Sequence, residues 1–230
     1  MFKQIAVSLA LCALASFATV AAGLSDKVLV NLRVEGTTKT HFEGFVWTSG
    51  HNVTTKIGGN HHCDGTNNDT FPHPGPTATT ALADSNLMFD GEFFPKPKFD
   101  DFLISNIEGE SNKNNRSWGI LLNFQDLEVG GCQQQVRTCD EVLFAFDKFN
   151  KKHILELTGP ALWVVDANKS LVLTVRDGRT GLPVQGANVN GQLSDADGKV
   201  SVTFAEKGVK GVKAEKDDSI RSNKLEFLVV

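Results

Sequence analysis

Apolar and polar residues alternate at the start of the mature-looking part of the chain. Val28, Val30, Leu32 and Val34 interleave with Leu29, Asn31, Arg33 and Glu35. A period of two places one set on each face of a pleated strand, so β structure is expected over this stretch. Leu121-Leu122-Asn123-Phe124 and Val142-Leu143-Phe144-Ala145-Phe146 predict further strands. The second is almost continuously apolar, the pattern of a strand covered on both faces, and is therefore expected at the centre of a sheet. Gly75-Pro76-Thr77 followed by Ala78, Ala81, Leu82, Ala83 and Leu87 carries a helix start signal and good helix formers. A second short helix is predicted over Phe99–Ile107, where Phe99, Leu103 and Ile107 recur at helical spacing. The first module is therefore expected to be α+β and β-rich.

Beyond His153-Ile154-Leu155 the texture changes. Gly159-Pro160-Ala161 punctuates the chain, and short alternating runs follow at Leu171/Leu173/Val175, Val200/Val202/Phe204 and Leu225/Phe227/Val229. Asp177-Gly178, Asp197-Gly198 and Lys207-Gly208 between them are tight-turn dipeptides, with glycine available for positive φ. Short strands punctuated in this way predict a small all-β sandwich. The expected organisation is a first domain over 23–158, a linker over 159–169 and a second domain over 170–230.

The amino terminus bears on compartment. Lys3 is a positive n-region, Ile5 to Leu14 an apolar stretch too short to span a bilayer, and Val20-Ala21-Ala22 a set of small residues suited to cleavage. Residues 1–22 are thus expected to be a signal peptide, with the remaining chain secreted, extracellular or cell-wall associated. About 208 residues remain, enough for one large domain or two small ones. The formal charge of −4 becomes more negative when Lys3 leaves, and no basic stripe is present. That balance argues against nucleic acid and anionic membrane as partners. No later segment is apolar enough to span a membrane.

An oxidising compartment gives the cysteines meaning. With Cys12 in the signal, Cys63, Cys132 and Cys139 remain, so one disulfide is expected and one thiol left over. Cys63–Cys132, Cys63–Cys139 and Cys132–Cys139 are all open on this count. The first would close a loop of about 70 residues, stabilising the fold by roughly 4 kcal/mol in the chain-entropy picture. Four Asn-x-Ser/Thr triplets, at Asn52, Asn68, Asn115 and Asn168, fit glycosylation of a secreted chain at exposed positions.

Val175-Arg176-Asp177-Gly178, Gly181-Leu182-Pro183-Val184-Gln185-Gly186-Ala187-Asn188-Val189 and Asp195-Ala196-Asp197-Gly198-Lys199-Val200 together resemble the Ig-like and carboxypeptidase-regulatory-like modules of extracellular proteins. Such modules are spacers or binding units. Val34-Glu35-Gly36, Cys63-Asp64-Gly65-Thr66, Phe99-Asp100-Asp101-Phe102, Trp118 to Asn123, Gly131-Cys132 and Asp140-Glu141-Val142-Leu143-Phe144 are similar to a secreted family of unknown function related to the carboxyl-terminal β-domain of transcobalamin. Secreted fungal proteins look similar over both modules. The resemblance implies a β-rich, β-grasp-like first domain. That family has glycine before the acidic residue at Asp140, where this chain has Cys139. The departure puts in doubt a positive-φ turn there and, by marking Cys139 as the extra cysteine, implies the pair Cys63–Cys132. No cobalamin site is carried over, since the large helical partner domain is missing, and no cofactor is implied.

Chemistry-bearing residues concentrate at His51, His61, His62, Asp64 and His73. Imidazole and carboxylate are metal ligands, so His51, His61, His62 and Asp64 are the candidate metal set. Against it, no ligand spacing of a known type is present, and adjacent His61 and His62 would point opposite ways on an extended chain. Asp64, Asn67, Asn68 and Asp69 lack the glycine and glutamate of a helix-loop-helix calcium loop. Asp100-Asp101 and Glu108-Gly109-Glu110 offer the paired carboxylates of glycoside hydrolysis, but acidic pairs more often cap elements or face solvent. No nucleophile elbow or phosphate-cradling loop occurs. Phe89, Phe93, Phe94, Phe99 and Phe102 form a dense aromatic segment suited to a core, and Trp47 and Trp118 are candidate binding aromatics.

The expected function is a non-enzymatic extracellular structural or binding protein. Its expected partners are cell-wall polysaccharide, another extracellular protein or a second copy of itself. A small-ligand or metal-ion carrier is the alternative, and a carbohydrate-active enzyme comes third.

Overall fold

Alternating sequence translates directly into the dominant element of the first unit. In the computed structural model, which describes residues 27–160 and 163–230, the chain divides at 149/150 into two compact, β-rich units. The strands of the first are β1 (Val28–Glu35), β2 (Thr40–Thr48), β3 (His51–Thr55), β4 (Gly59–Cys63), β5 (Phe89–Phe94), β6 (Asp101–Ile107), β7 (Glu110–Ser111), β8 (Trp118–Leu122), β9 (Gln125–Asp126) and β10 (Glu141–Phe146). An α-helix, α1 (Ala78–Asp84), lies between β4 and β5, after a short 3-10 turn over Asn67–Asp69. The expected signal peptide lies outside the described residues.

β1 is the pivot of a five-stranded sheet ordered β2-β1-β10-β8-β9, antiparallel to β2 and parallel to β10. Val30, Leu32 and Val34 point to one face, where Val46 of β2 and Val142, Phe144 and Phe146 of β10 join them. Ala78, Ala81 and Leu82 of α1 and Phe102, Ile104 and Ile107 of β6 complete that core. β10 is buried along both faces, from Val142 to Phe146, and is the middle strand, as its continuous apolar run predicts.

α1 begins where the sequence places it. Thr77 accepts a hydrogen bond from the Thr80 amide at 3.2 Å, and the Thr80 hydroxyl accepts one from the Thr77 amide at 2.9 Å, a reciprocal cap. The Thr48 hydroxyl donates to Thr80 at 2.9 Å, tying β2 to the helix start inside the core.

The helix expected over Phe99–Ile107 is instead strand β6, paired antiparallel with β5. Within it Phe102 and Ile104 are buried and Leu103 is exposed, an alternation of two. Six aromatic or β-branched residues on the two strands, Phe89, Phe93, Phe94, Phe102, Ile104 and Ile107, favour pleated pairing, and the partner strand overrides the weak helical spacing. Likewise the strand expected to include Asn123 and Phe124 ends at Leu122, because those two residues form the two-residue turn to β9, at φ 50° and 64°.

The second unit contains β11 (His153–Thr158), β12 (Val164–Val165), β13 (Ser170–Asp177), β14 (Asn188–Val189), β15 (Gln192–Leu193), β16 (Lys199–Thr203), β17 (Gly208–Val212), β18 (Ala214–Glu215), β19 (Ser219–Ile220) and β20 (Leu225–Val229). They form sheets ordered β16-β13-β11-β19, β12-β20-β17 and β15-β14-β18. Leu173, Val202, Phe227, Val189 and Ala214, drawn from all three, share one buried cluster. β11 pairs with β13, and its Leu155 and Leu157 enter this cluster, so the unit begins before β11 rather than after a linker at 159–169. Gly198 and Gly208 adopt the positive φ anticipated for their turns, whereas in the loop after Asp177 that role falls to Gly181.

Cys63 and Cys132 are bonded, with Cα atoms 4.6 Å apart. No described cysteine is free, Cys139 included, so the left-over thiol expected from the count is not found. Cys139 itself adopts φ 70°. The positive-φ turn that its side chain put in doubt is therefore kept, held by hydrogen bonds from the Cys139 amide to Leu29 O (2.8 Å) and from the Asp140 amide to Arg137 O (3.0 Å).

Candidate functional site

The histidine-rich segment is the β3–β4 hairpin, whose register separates its imidazoles. His51 lies opposite Cys63 and Val53 opposite His61, which puts these four on one face, while His62 pairs with Asn52 on the other. Each candidate ligand has a partner of its own. The His51 Nε2 faces Asp84 at 3.2 Å. The His61 ring stacks on Phe93, centroids 3.7 Å apart, and its Nε2–H donates to the Gly58 carbonyl at 2.9 Å. His62 lies on the surface with Nε2 3.8 Å from Asp100. Asp64 accepts hydrogen bonds from the Thr66 amide at 3.0 Å and hydroxyl at 2.6 Å, closing its own turn. Among the described residues no three His, Cys, Asp or Glu side chains converge as a metal-binding group.

The loop after this hairpin is built around the disulfide. Buried Asn67 donates to His62 O at 2.9 Å and Asp100 O at 2.8 Å, and the Asn68 amide donates to Asp100 Oδ2 at 2.8 Å. Asp101, next along, is buried and accepts from the amides of Phe102 (2.7 Å), Cys132 (2.9 Å) and Gln133 (3.1 Å). Burial pushes its carboxyl up to about 6, against the pull of those backbone donors. The Asp100-Asp101 pair thus organises backbone. In the other acidic pair, Glu108, in the turn between β6 and β7, accepts at 2.8 Å from the amide of Met88, the residue before β5.

Glu110 belongs to a polar cluster that the sequence gives no reason to assemble. Its carboxylate accepts from the Thr37 amide at 3.1 Å and from the Thr37 hydroxyl, and lies 3.5 Å from His41 Nε2. Burial pushes this carboxyl up, but the Thr37 hydrogen bonds and His41 outweigh it and hold it below the usual carboxylate range. Arg116 donates to the Thr37 hydroxyl at 2.8 Å, pairs with Asp147 at 3.1 Å and covers the Phe146 ring. The cluster closes one edge of the first core.

The two candidate binding tryptophans part company. Trp118 is buried, meets Phe146 edge-on at 5.4 Å and donates its indole N–H to Glu110 O at 2.8 Å, so it is a core residue. Trp47 is 59 % exposed on β2, the edge strand of the main sheet. Phe45, two residues earlier on the same face, is 38 % exposed and was not anticipated as a site residue. Its signal lay in the alternation itself, since buried Val46 between them turns both rings outward. Asn31 of β1 pairs with Phe45 of β2 on one side and with Glu141 of β10 on the other, which sets polar groups beside the aromatics.

A second exposed feature is a cleft of about 590 Å³ beside the disulfide, lined by Phe94, Phe99, Leu103, Val129, Asn68 and Lys98 among others. Of the five clustered phenylalanines, Phe102 is buried and Phe89 and Phe93 pack against the core, while Phe94 and Phe99 meet edge-on at 6.1 Å in the cleft. All four sequon asparagines, Asn52, Asn68, Asn115 and Asn168, are exposed. No helix among the described residues is long and apolar enough to cross a membrane.

Comparison with family models finds no match, and comparisons with curated proteins and with solved structures find no significant match.

Proposed function

We propose that this is a secreted, glycosylated, non-enzymatic protein acting outside the cell as a binding or structural component, with Trp47 and Phe45 as its contact to wall or matrix polysaccharide. The observation that carries the reading is the outward aromatic pair on β2, 59 % and 38 % exposed, on a rigid strand rather than a loop. Flat aromatic faces with adjacent polar groups suit sugar rings, whose C–H faces pack on π systems while their hydroxyls hydrogen-bond alongside. Exposed sequons and a disulfide agree with secretion. The carrier and carbohydrate-active readings draw no comparable support, since the imidazoles and carboxylates they need are engaged in holding turns and strands.

The strand order β2-β1-β10-β8-β9, with α1 between β4 and β5, supports a β-grasp-like first domain, and with it the similarity to the transcobalamin-related secreted family. Three small sheets around one core support an Ig-like second module.

Retention on insoluble chitin, β-glucan and cellulose tests the function. The protein is expected to bind at least one of them, and Trp47→Ala to lower retention at least tenfold with an unchanged fold by circular dichroism. Retention unaffected by Trp47→Ala, or no retention on any of the three, would overturn the assignment.

A further inference from the structure

The cleft presents an apolar surface unusual for a secreted chain. Phe99 is 61 % exposed, Leu103 56 % and Val129 38 %, and all three line the same concavity. Contiguous apolar patches of this kind mark a surface that something covers. Asn68, the acceptor position of an Asn-Asp-Thr sequon, stands on the wall of the same cleft.

We propose that the cleft is the seat of the N-linked glycan carried by Asn68, the first sugar packing its apolar face on Phe99 and Leu103. The inference rests on the secretory reading above, because attachment requires passage through a glycosylating compartment.

The geometry fixes where such a glycan must start. Asn68 sits in the left-handed region, φ 53° and ψ 26°, which asparagine tolerates. Its backbone is clamped by the 2.8 Å hydrogen bond to Asp100, and the flanking Asn67 side chain is bound to the backbone on both sides of the cleft-bearing turn. Asp69 is paired with Lys96 at 2.8 Å, which draws the sequon loop against the β5–β6 connection that carries Phe99 and follows Phe94, the last residue of β5. The Asn68 side chain has no hydrogen-bond partner among the described residues and is exposed, so its amide nitrogen is open to substitution. A sugar attached there leaves a held loop beside an aromatic wall, so little additional ordering is needed to lay it on the rings. Lys98, exposed on the cleft wall, can hydrogen-bond the sugar's hydroxyl or acetamido oxygen. Concealing exposed apolar area under a bulky polar group also raises solubility.

The test uses a full-length chain secreted from a eukaryotic host, with Asn68 kept as the sole sequon by Asn52→Gln, Asn115→Gln and Asn168→Gln. Thr70 is left in place because its hydroxyl donates to Gln133 in the fold. Binding of an environment-sensitive apolar dye is compared for the intact glycoprotein, for protein trimmed enzymatically to one N-acetylglucosamine, and for Asn68→Gln. The intact and trimmed forms are expected to bind dye equally weakly. Asn68→Gln should raise dye fluorescence at least threefold, and adding Phe99→Ser should bring it back down. Occupied Asn68 with dye binding equal to that of Asn68→Gln would overturn the inference, as would glycans on the other asparagines of the four-sequon chain but none on Asn68. A chain from its own source carrying no glycan on any of the four asparagines would instead fail the secretory reading itself.

Discussion

The Asp101 carboxylate and the Cys132 amide are 2.9 Å apart, a hydrogen bond that joins strand β6 to the loop carrying one end of the disulfide. Asp101 is buried, so its negative charge is held by backbone N–H groups in place of water. Burial wins over those donors, and the carboxyl lies near 6 instead of its ordinary 3.8.

That displacement has a definite sign in stability. Between the unfolded and folded values the native state binds the extra proton, so stability falls as pH rises from about 4 to about 6. The size is on the order of 3 kcal/mol across that window. Urea unfolding of the wild type from pH 4 to pH 7 should show this decline, and Asp101→Asn should lose the component. Parallel profiles for the two proteins would remove Asp101 as its source.

The Cys63–Cys132 bond closes a loop of 69 positions. Replacing both residues with serine should lower stability by about 4 kcal/mol, chiefly through the freed unfolded chain. Thiol reduction should likewise lower the denaturation midpoint, and a reductant-insensitive midpoint would contradict the assigned staple.

Trp118 and Trp47 should respond oppositely to truncation. Trp118→Ala leaves a cavity beside Phe146 and removes a buried indole, at an expected cost of about 3–5 kcal/mol. Trp47→Ala removes an exposed ring and should change stability by no more than about 0.5 kcal/mol. Thermal unfolding of the two variants side by side checks the contrast.

Gly198 combines a φ of 73° with a close backbone approach, where a Cβ would strike the Val175 carbonyl. Gly198→Ala is expected to destabilise the second unit by about 1–3 kcal/mol. Gly186→Ala, at φ 75° with open space around it, should cost less. Equal midpoints for the two variants would show that the backbone contact carries no weight.

Much of the strand framework was legible in the sequence because alternation is a local property. Val28 to Glu35, Val142 to Phe146 and the three alternating runs of the second unit all became strands. Thr77 likewise started a helix, since capping depends only on neighbours three residues apart. Phe99–Ile107 went the other way. Its residues fit helical spacing at three positions, and only the presence of β5 as a pairing partner decided the matter. The boundary between units was similarly misplaced, because the strand it severed, β11, draws its pairing from residues that follow it.

The candidate sites divide along the same line. By itself the sequence determined which residues could do chemistry and how they alternate: the imidazoles of the His51–His62 segment, the paired acids, the sequons and the tryptophans. Only the tertiary structure decided which of them are available. The hairpin register turned His61 inward against Phe93 and His62 outward, burial made Asp101 a backbone anchor, and packing on Phe146 took Trp118 into the core while Trp47 stayed on the surface. The reason is physical: alternation along a strand names two faces, but which face meets a core and which meets water depends on segments distant in sequence that fold onto it.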